Sequence, residues 1–224
     1  RYATLQVDAS RRIVGYTEAS RGCKHHCRHC PVVPVYNGQF RVVPLDVVLA
    51  DIGAQVAQGV QHVTFGDPDF FNGVGHARRI AEALVRAFPE LSYDVTIKVE
   101  HLLRHSDDLE WLRETGCLFV TSAVESFDDQ VLACLAKAHT REDVSQVVAL
   151  CRCAGLTLIP TFVAFTPWTT LSGYCEFLRD IARFDLVDSV APIQLALRLL
   201  VPEGSRLLDL ADLEAQLRPF DAER

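Results

Sequence analysis

Residues 21–31 read RGCKHHCRHCP and place Cys23, Cys27 and Cys30 in a Cys-x3-Cys-x2-Cys pattern on one short, polar and cationic stretch. Thiolates are the preferred ligands of soft metals and of iron–sulfur clusters. Three thiolates on one loop can bind three corners of a [4Fe–4S] cube, which leaves the fourth iron open in the manner of a catalytic metal site. The stretch therefore predicts an iron–sulfur site.

Two other interpretations of the same stretch compete with the cluster. The three cysteines could form a structural zinc site with His25, His26 or His29, or they could be unliganded thiols. Zinc sites favour two separated Cys-x2–4-Cys pairs, and Cys151 and Cys153 do not make a second pair because residues two apart on a helix do not face each other. Unliganded thiols among Lys, Arg and His neighbours would have lowered pKa values and oxidise readily. The spacing favours the cluster.

Outward from this stretch, the chain alternates between two hydrophobic periods. Six short β-branched or apolar runs predict strands at residues 12–16, 62–65, 93–98, 117–122, 156–163 and 187–195. Helical patterns follow at residues 46–58, 76–87, 107–115, 128–137, 142–154, 171–184 and 207–217. Such alternation predicts an α/β fold with a parallel sheet and right-handed crossovers. Six units fit a partial barrel, and a doubly wound open sheet fits almost as well; in both, the chemistry lies at the C-terminal ends of the strands.

Composition excludes several classes of protein. The chain has 224 residues, of which 49% are hydrophobic and 23% charged, so it is globular. The net charge of −7 makes it a poor candidate for nucleic-acid binding, and no apolar stretch approaches the roughly 18 residues of a membrane span. The other five cysteines are scattered in apolar surroundings and no signal-peptide pattern is present, so we expect reduced thiols and a cytoplasmic protein.

A CxxxCxxC motif directly after the first strand of a six-fold β/α chain resembles the radical S-adenosylmethionine (radical SAM) superfamily, over residues 16–208. The resemblance implies a partial (βα)6 TIM-like barrel, a [4Fe–4S] cluster on the three cysteines, and SAM chelating the fourth iron. It also implies a small-molecule substrate and a reductase or flavodoxin-type electron donor. His29 stands where the superfamily usually has an aromatic residue near the adenine.

The resemblance further implies SAM contacts at successive strand ends. Residues 66–69 stand in place of the usual Gly-Gly-Glu-Pro, where the backbone must approach the SAM amino group. Lys98 would pair with the SAM carboxylate, and Glu125 would bind the ribose or the methionyl part. The predicted SAM-binding residues are His29, Gly66, Asp67, Pro68, Asp69, Lys98, Ser122, Glu125, Phe165 and Gln194. A simple turn at residues 66–69, a solvated strand end at Lys98 and an ordinary buried strand at Phe165 are the structural alternatives.

Three strings resemble one radical SAM subfamily more closely: GDPDFFN at residues 66–72, IKVEH at 97–101 and FTPW at 165–168. Its members carry a Cys-Cys-Ala-Glu-Pro or selenocysteine-containing tail and are associated with arsinothricin, an arsenic-containing natural product. This resemblance implies transfer of the 3-amino-3-carboxypropyl group of SAM to trivalent arsenic. Cys117 or another inward-facing thiol could hold the arsenic, but core packing is the favoured explanation of Cys117.

The tail is absent and the chain begins with Arg1, so we expect a trimmed chain. We divide it into a barrel over residues 1–208 and a C-terminal helical extension over 209–224. Three alternatives to arsenic chemistry remain open: a conventional 5′-deoxyadenosyl-radical enzyme acting on another small molecule, a zinc-dependent barrel hydrolase, and a non-catalytic iron–sulfur carrier or sensor.

Overall fold

The computed structural model describes residues 3–7 and 9–214. The strands are β1 (Ala3–Val7), β2 (Ser10–Thr17), β3 (Ser20–Gly22), β4 (Phe40–Val42), β5 (His62–Phe65), β6 (Ser92–Thr96), β7 (Cys117–Glu125) and β8 (Thr157–Phe162). The α-helices are α1 (Val32–Tyr36), α2 (Leu45–Val56), α3 (Val74–Ala87), α4 (Val99–Arg104), α5 (Leu109–Glu114), α6 (Asp129–Leu135), α7 (Arg141–Cys153), α8 (Leu171–Arg183) and α9 (Ala211–Glu214). Short 3-10 helices occupy Phe70–Gly73, Ser106–Asp108, Val187–Ser189, Pro192–Leu195 and Arg206–Asp209.

One curled sheet organises the chain, with strand order β1-β2-β5-β6-β7-β8. From β2 to β8 every neighbouring pair is parallel, in registers such as Val14 opposite His62 and Phe119 opposite Thr157. Parallel strands need helical crossovers, which cover their faces and bury them on both sides. The predicted α/β class and the partial barrel are confirmed, and the first five predicted strands correspond to β2, β5, β6, β7 and β8.

The sixth predicted strand is wrong. Residues 187–195 form two 3-10 turns instead of a strand. Pro192 stands at the start of the second turn, and a proline cannot donate a ladder hydrogen bond. The Gln194 side chain takes the place of a strand neighbour, since its Oε1 accepts the Phe162 N–H at 2.9 Å. Beyond it, the only parallel pairing within the described residues is an isolated bridge between Phe165 and Arg198.

The sequence pattern also missed an antiparallel strand. β1 pairs with β2 from Ala3 opposite Val14 to Val7 opposite Ser10. This strand is mostly exposed, so it lacks the continuous apolar run that marks the buried parallel strands.

The helices pack an apolar side onto the sheet. Ile52 of α2 and Ile80 and Leu84 of α3 join Val63 and Tyr93 of the sheet in one core cluster. This clustering buries the helix and strand faces that the hydrophobic periods predict. The parallel strands all point their C-terminal ends at one edge, which carries the cysteine loop and residues 66–72, 97–101 and 163–168.

The C-terminal part differs from the predicted helix over 207–217. A 3-10 helix over Arg206–Asp209 is followed by α9, and Leu207 and Leu213 pack against Val131 and Leu135 of α6. The remainder of the predicted extension, residues 215–224, lies outside the described residues. Among the described residues, no helix has the length and apolar character needed to cross a membrane.

Candidate functional site

The cysteine loop leaves β3 at Gly22 and enters α1 at Val32. Gly22 has φ of 79°, and a Cβ there would meet the Gln39 carbonyl oxygen at 2.2 Å, so only glycine fits this turn. The Cys30 N–H donates to the Cys27 carbonyl at 3.3 Å. Cys27 is buried, and Cys23 and Cys30 are half-buried. The loop therefore gathers the three thiols at the C-terminal edge of the sheet in a sheltered setting.

Arg28 fastens this loop to the C-terminus of α6. Its backbone N–H donates to the Leu135 carbonyl at 3.0 Å, and its guanidinium donates to the carbonyls of Ala133 at 3.1 Å and Cys134 at 3.0 Å. The last carbonyls of a helix lack intrahelical donors and attract positive charge. Ser205 Oγ donates to the Arg28 carbonyl at 3.0 Å from the far end of the chain. Contacts distant in sequence thus fix the loop.

Asn72 joins the cysteine loop to the segment after β5. Lys24 Nζ donates to the Asn72 carbonyl at 2.7 Å, and the Lys24 N–H donates to Asn72 Oδ1 at 3.2 Å. Cys23 Sγ lies 3.9 Å from the same oxygen. The last residue of the GDPDFFN string therefore touches the first cysteine of the loop.

The thiols fit a cluster better than a single zinc ion. Among the described residues, no group that includes a thiol brings three ligand atoms within 4.8 Å of one another, as a single ion requires. A cluster needs no such convergence, because each thiolate binds a different iron. The expected lowering of the thiol pKa by cationic neighbours is wrong: burial raises the pKa of both Cys23 and Cys30. These thiols would therefore lose their protons on binding iron and not before.

Glu125 lies at the end of β7 and receives two partners from elsewhere in the chain. His29 Nε2 is 3.0 Å from Glu125 Oε1, and Lys137 Nζ is 3.4 Å from the same oxygen. Glu125 has φ of 70°, a left-handed conformation that is costly for a residue with a side chain and that often marks functional sites. Burial raises the pKa of its carboxyl, but the hydrogen bond from His29 and the charge of Lys137 outweigh burial, so the pKa lies below its usual value.

Two predicted SAM-binding residues carry buried atoms without hydrogen-bond partners. His29 Nδ1 and Ser122 Oγ are both buried and unsatisfied within the described residues. Native structures satisfy nearly all such atoms with protein, water or ligand.

Beyond the ends of β7 and β8, a cavity of about 480 Å³ is lined by Glu125, Val163 and Ala164 together with α8 residues. The volume is within the usual range for small-molecule sites.

The acidic residues of segment 66–69 have structural partners. Asp67 accepts hydrogen bonds from the Ala19 N–H at 2.9 Å and from Ser20 Oγ. Burial raises the pKa of Asp67 to about 6. Asp69 accepts from the Phe71 N–H at 3.2 Å and begins the 3-10 turn that follows. Both Asp67 oxygens are thus engaged, whereas Asp69 uses only its Oδ1 in this turn, and the SAM contact of Gly66, Asp67, Pro68 and Asp69 stays a prediction.

The three remaining predicted residues differ in their burial and contacts. Lys98 is buried, with Nζ 3.6 Å from Glu100 Oε2, so it is not the solvated strand end of the structural alternative. Phe165 is 42% exposed and stacks on Tyr174 with 5.0 Å between ring centroids, so it is not an ordinary buried strand residue either. Gln194 is engaged with the backbone of β8, because its Oε1 accepts the Phe162 N–H, and its contact with SAM stays a prediction.

Cys117 does not lie near the cysteine loop. It begins β7, whereas the site occupies the end of that strand, roughly 26 Å away at the usual rise per residue. It is fully enclosed in the core, and its thiol donates to the Phe119 carbonyl at 3.3 Å. Burial raises its pKa far above that of a free thiol. Core packing, which the sequence favours for Cys117, therefore explains this residue, and its thiol is not placed to hold arsenic at the site.

Sequence reasoning missed one group of side chains at the same edge. His25 of the cysteine loop, Asp69 after β5 and His101 of α4 bring their ligand atoms within 4.8 Å of one another. The only signal in the sequence was the pair of strings that contain Asp69 and His101, which gave no indication that His25 would join them.

Comparison with known proteins assigns this architecture. The model of the radical SAM superfamily matches residues 17–169, so the chain belongs to the radical SAM superfamily. A [4Fe–4S] cluster and SAM are the cofactors of this superfamily and of this protein.

The individual relatives share only about a quarter of their aligned residues with this chain. The chain is similar to a tRNA-2-methylthio-N(6)-dimethylallyladenosine synthase from Chlorobium phaeobacteroides (strain BS1), at 26% identity over 80% of this chain and 40% of the relative. It is also similar to a ribosomal protein uS12 methylthiotransferase RimO from Parabacteroides distasonis, at 25% identity over 84% of this chain and 46% of the relative. The chain thus spans less than half the length of these two relatives.

Two solved structures show the same fold. The radical SAM methyltransferase TsrM from Kitasatospora setae, solved with cobalamin and a [4Fe–4S] cluster, has a TM-score of 0.64 and 21% identity over 78% of this chain and 33% of that one. The cobalamin-dependent radical SAM enzyme OxsB has a TM-score of 0.70 and 16% identity over 95% of this chain and 37% of that one.

Proposed function

We propose that Cys23, Cys27 and Cys30 hold the cluster and that the enzyme transfers the 3-amino-3-carboxypropyl group of SAM to trivalent arsenic. The observation that carries the proposal is the position of the three strings that resemble the arsinothricin-associated subfamily. Residues 66–72, 97–101 and 165–168 follow β5, β6 and β8 and share the C-terminal edge of the sheet with the cysteine loop. Strings that resemble a subfamily and lie at the active edge of a barrel are suited to define its reaction.

A [4Fe–4S] cluster held by Cys23, Cys27 and Cys30 would, when reduced, supply one electron to the sulfonium of SAM. The chain's own residues bind and orient. The three thiolates would hold the cluster, and Arg28 and Asn72 fix the loop so that its thiols keep their positions. Buried Lys98 offers a cation to the SAM carboxylate, and Glu125, held by His29 and Lys137, offers an anion to the ribose or amino group.

The choice between group transfer and hydrogen abstraction depends on which C–S bond of SAM faces the cluster. Orientation, electrostatics and exclusion of water are the protein's share of this chemistry. His29 stands where the superfamily usually has an aromatic neighbour of the adenine. Its hydrogen bond to Glu125 restricts the orientations in which its ring can stack. This pairing is compatible with a SAM pose that differs from that of a conventional enzyme and does not require one.

Product analysis tests the proposal. The enzyme is incubated anaerobically with SAM, a reductant and arsenite, with a flavodoxin–reductase pair as a second source of electrons, and the products are separated and weighed by mass spectrometry. We expect 5′-methylthioadenosine and an arsenic species that carries the aminocarboxypropyl group, both dependent on the three cysteines. Dominant 5′-deoxyadenosine with arsenite present would contradict the transfer and favour a conventional hydrogen-abstracting enzyme.

A further inference from the structure

We propose that His25, Asp69 and His101 form a second metal site, for a divalent first-row transition ion such as Zn²⁺, separate from the cysteine thiols. His101 Nδ1 lies 2.7 Å and His25 Nε2 lies 3.4 Å from the same atom, Asp69 Oδ2. Imidazole nitrogen and carboxylate oxygen bind zinc at about 2.0–2.2 Å, which in a tetrahedral site puts the ligand atoms roughly 3.3 Å from one another. The observed separations lie on both sides of that value.

Hydrogen bonding does not account for the cluster. All three facing atoms, His25 Nε2, Asp69 Oδ2 and His101 Nδ1, are buried and without a hydrogen-bond partner within the described residues, in spite of their short separations. Their directions therefore do not suit N–H donation to the carboxylate. Buried polar atoms are costly when unsatisfied, and one ion between them satisfies all three at once.

A second buried His–Asp pair in the same sheet shows what a structural pair looks like. His62 Nε2 lies 2.8 Å from Asp94 Oδ1, and its Nδ1 lies 2.8 Å from Ser92 Oγ. Both ring nitrogens are satisfied, and Thr64 Oγ1 donates to Asp94 as well, at 2.6 Å. At His25, Asp69 and His101, by contrast, two imidazoles face one carboxylate oxygen, and none of the three facing atoms has a hydrogen-bond partner within the described residues.

The surroundings orient the three ligands. Asp69 is fully buried, and its Oδ1 accepts the Phe71 N–H, which leaves Oδ2 to face the two imidazoles. The other nitrogen of His25 lies 3.7 Å from Glu100 Oε2. A carboxylate behind a ligating imidazole is the usual arrangement in metal sites, because it fixes the tautomer and the ring.

The position of the site suggests its use. His25 is two residues from both Cys23 and Cys27, so its Cα lies no more than about 7 Å from theirs. Three protein ligands leave at least one coordination position for water or for an oxygen donor of a substrate. Two imidazoles and a carboxylate suit Zn²⁺ and Fe²⁺ better than Ca²⁺ or Mg²⁺. The site would therefore present an oxygen-donor ligand beside the thiols.

Zinc binding to the cluster-loaded protein tests the site. Reconstituted protein is exposed to Zn²⁺ under anaerobic conditions and desalted, iron and zinc are counted by mass spectrometry, and the zinc environment is read by X-ray absorption. We expect about one zinc per chain with nitrogen and oxygen neighbours at about 2.0–2.1 Å and no sulfur at about 2.3 Å. His101→Ala should lose the zinc and keep the iron, and the matched buried variant His62→Ala should keep both.

If His101→Ala fails to fold, His25→Ala provides a second test of zinc binding. His25 is on a loop and its side chain is 17% exposed, so its loss should disturb the fold less. Loss of zinc in that variant, with iron retained, supports the site. Absence of bound zinc, sulfur neighbours around it, or zinc retained by the folded site variants would overturn the inference. The iron count reports separately on the proposed cluster: full iron without zinc removes the second site alone, and nitrogen- and oxygen-bound zinc without iron removes the cluster assignment alone.

Discussion

His29 and Glu125 are hydrogen-bonded across 96 residues of sequence, with 3.0 Å between Nε2 and Oε1. The contact joins the cysteine loop to the end of β7, and Lys137 adds a buried cation to the same carboxylate. A buried carboxylate with two such partners stays ionised. The place of the cysteine loop over the sheet therefore depends on a small polar network as well as on the backbone contacts of Arg28.

Replacing Cys23, Cys27 and Cys30 by alanine should abolish iron binding. Anaerobically purified or reconstituted protein should be brown and hold about four iron per chain, because the three thiolates are the only ligands that we assign to the cluster. Iron analysis and visible absorption measure the loss. Cys153→Ala is the matched control, since Cys153 is an exposed thiol outside the site. A full cluster in the triple variant would contradict the assignment.

SAM should change the electron paramagnetic resonance spectrum of the reduced protein. The loop supplies three thiols, so one iron of a cluster bound there would be open to the amino and carboxylate groups of SAM. The measurement compares spectra with and without saturating SAM, with 5′-methylthioadenosine, which lacks the amino and carboxylate groups, as the control ligand. An unchanged spectrum would indicate a closed cluster with four protein ligands.

Glu125→Ala should weaken SAM binding by about 1–3 kcal/mol, as the loss of a charged hydrogen-bond acceptor does, and leave the iron content unchanged. The change also leaves Lys137 buried without its carboxylate, so the free energy of unfolding should fall. Equilibrium dialysis with SAM and urea unfolding separate the two effects. Glu125→Gln is the control that keeps an acceptor for His29. Lower stability with unaltered SAM affinity would reduce Glu125 to its structural role.

Gln194→Ala should destabilise the fold by about 1–3 kcal/mol, because it leaves the Phe162 N–H without an acceptor at the edge of β8. Gln194→Glu keeps an oxygen in that place and should recover most of the loss. The free energy of unfolding in urea measures both. A fall in SAM affinity at unchanged stability would instead support the SAM contact that the sequence predicts for this residue.

His139 should make the protein less stable as the pH falls from 6.5 towards 4. Burial and the nearby Lys137 charge outweigh the Val124 and Lys137 carbonyls and lower the pKa of His139 from 6.5 to about 4. The unfolded chain then binds a proton in this window that the folded chain does not, so stability present above pH 6.5 is lost on acidification, by up to about 3 kcal/mol. Unfolding of the wild type and of His139→Gln at several pH values measures the difference. Parallel pH profiles of the two proteins would show that His139 does not contribute.

Five parallel strands of the sheet could be predicted from the sequence because each contains a short apolar or β-branched run, which burial against the helices favours. β1 could not, since an exposed edge strand has no such run. The segment at 187–195 is apolar and imitates a strand, but Pro192 and the Gln194 side chain end the sheet at β8. Local composition does not reveal a side chain that replaces a strand.

The candidate site also has features that the sequence predicts and features that it does not. The cysteine triplet and its place after the first strand were visible in the sequence, because three ligands for one cluster sit within a single loop. The partners of Asp67, Asp69 and Glu125 were not visible, because each of these carboxylates contacts a residue of segment 19–29 that lies more than 40 residues away in the chain.

The α/β class, the superfamily and the cysteine loop could be predicted from the residues alone, since they depend on local periodicity and short spacing. The contact of Gln194 with β8 and the convergence of His25, Asp69 and His101 could be seen only in the folded chain. The physical reason is that a parallel sheet brings the ends of all its strands to one edge, so residues far apart in the chain meet there in combinations that no local pattern records.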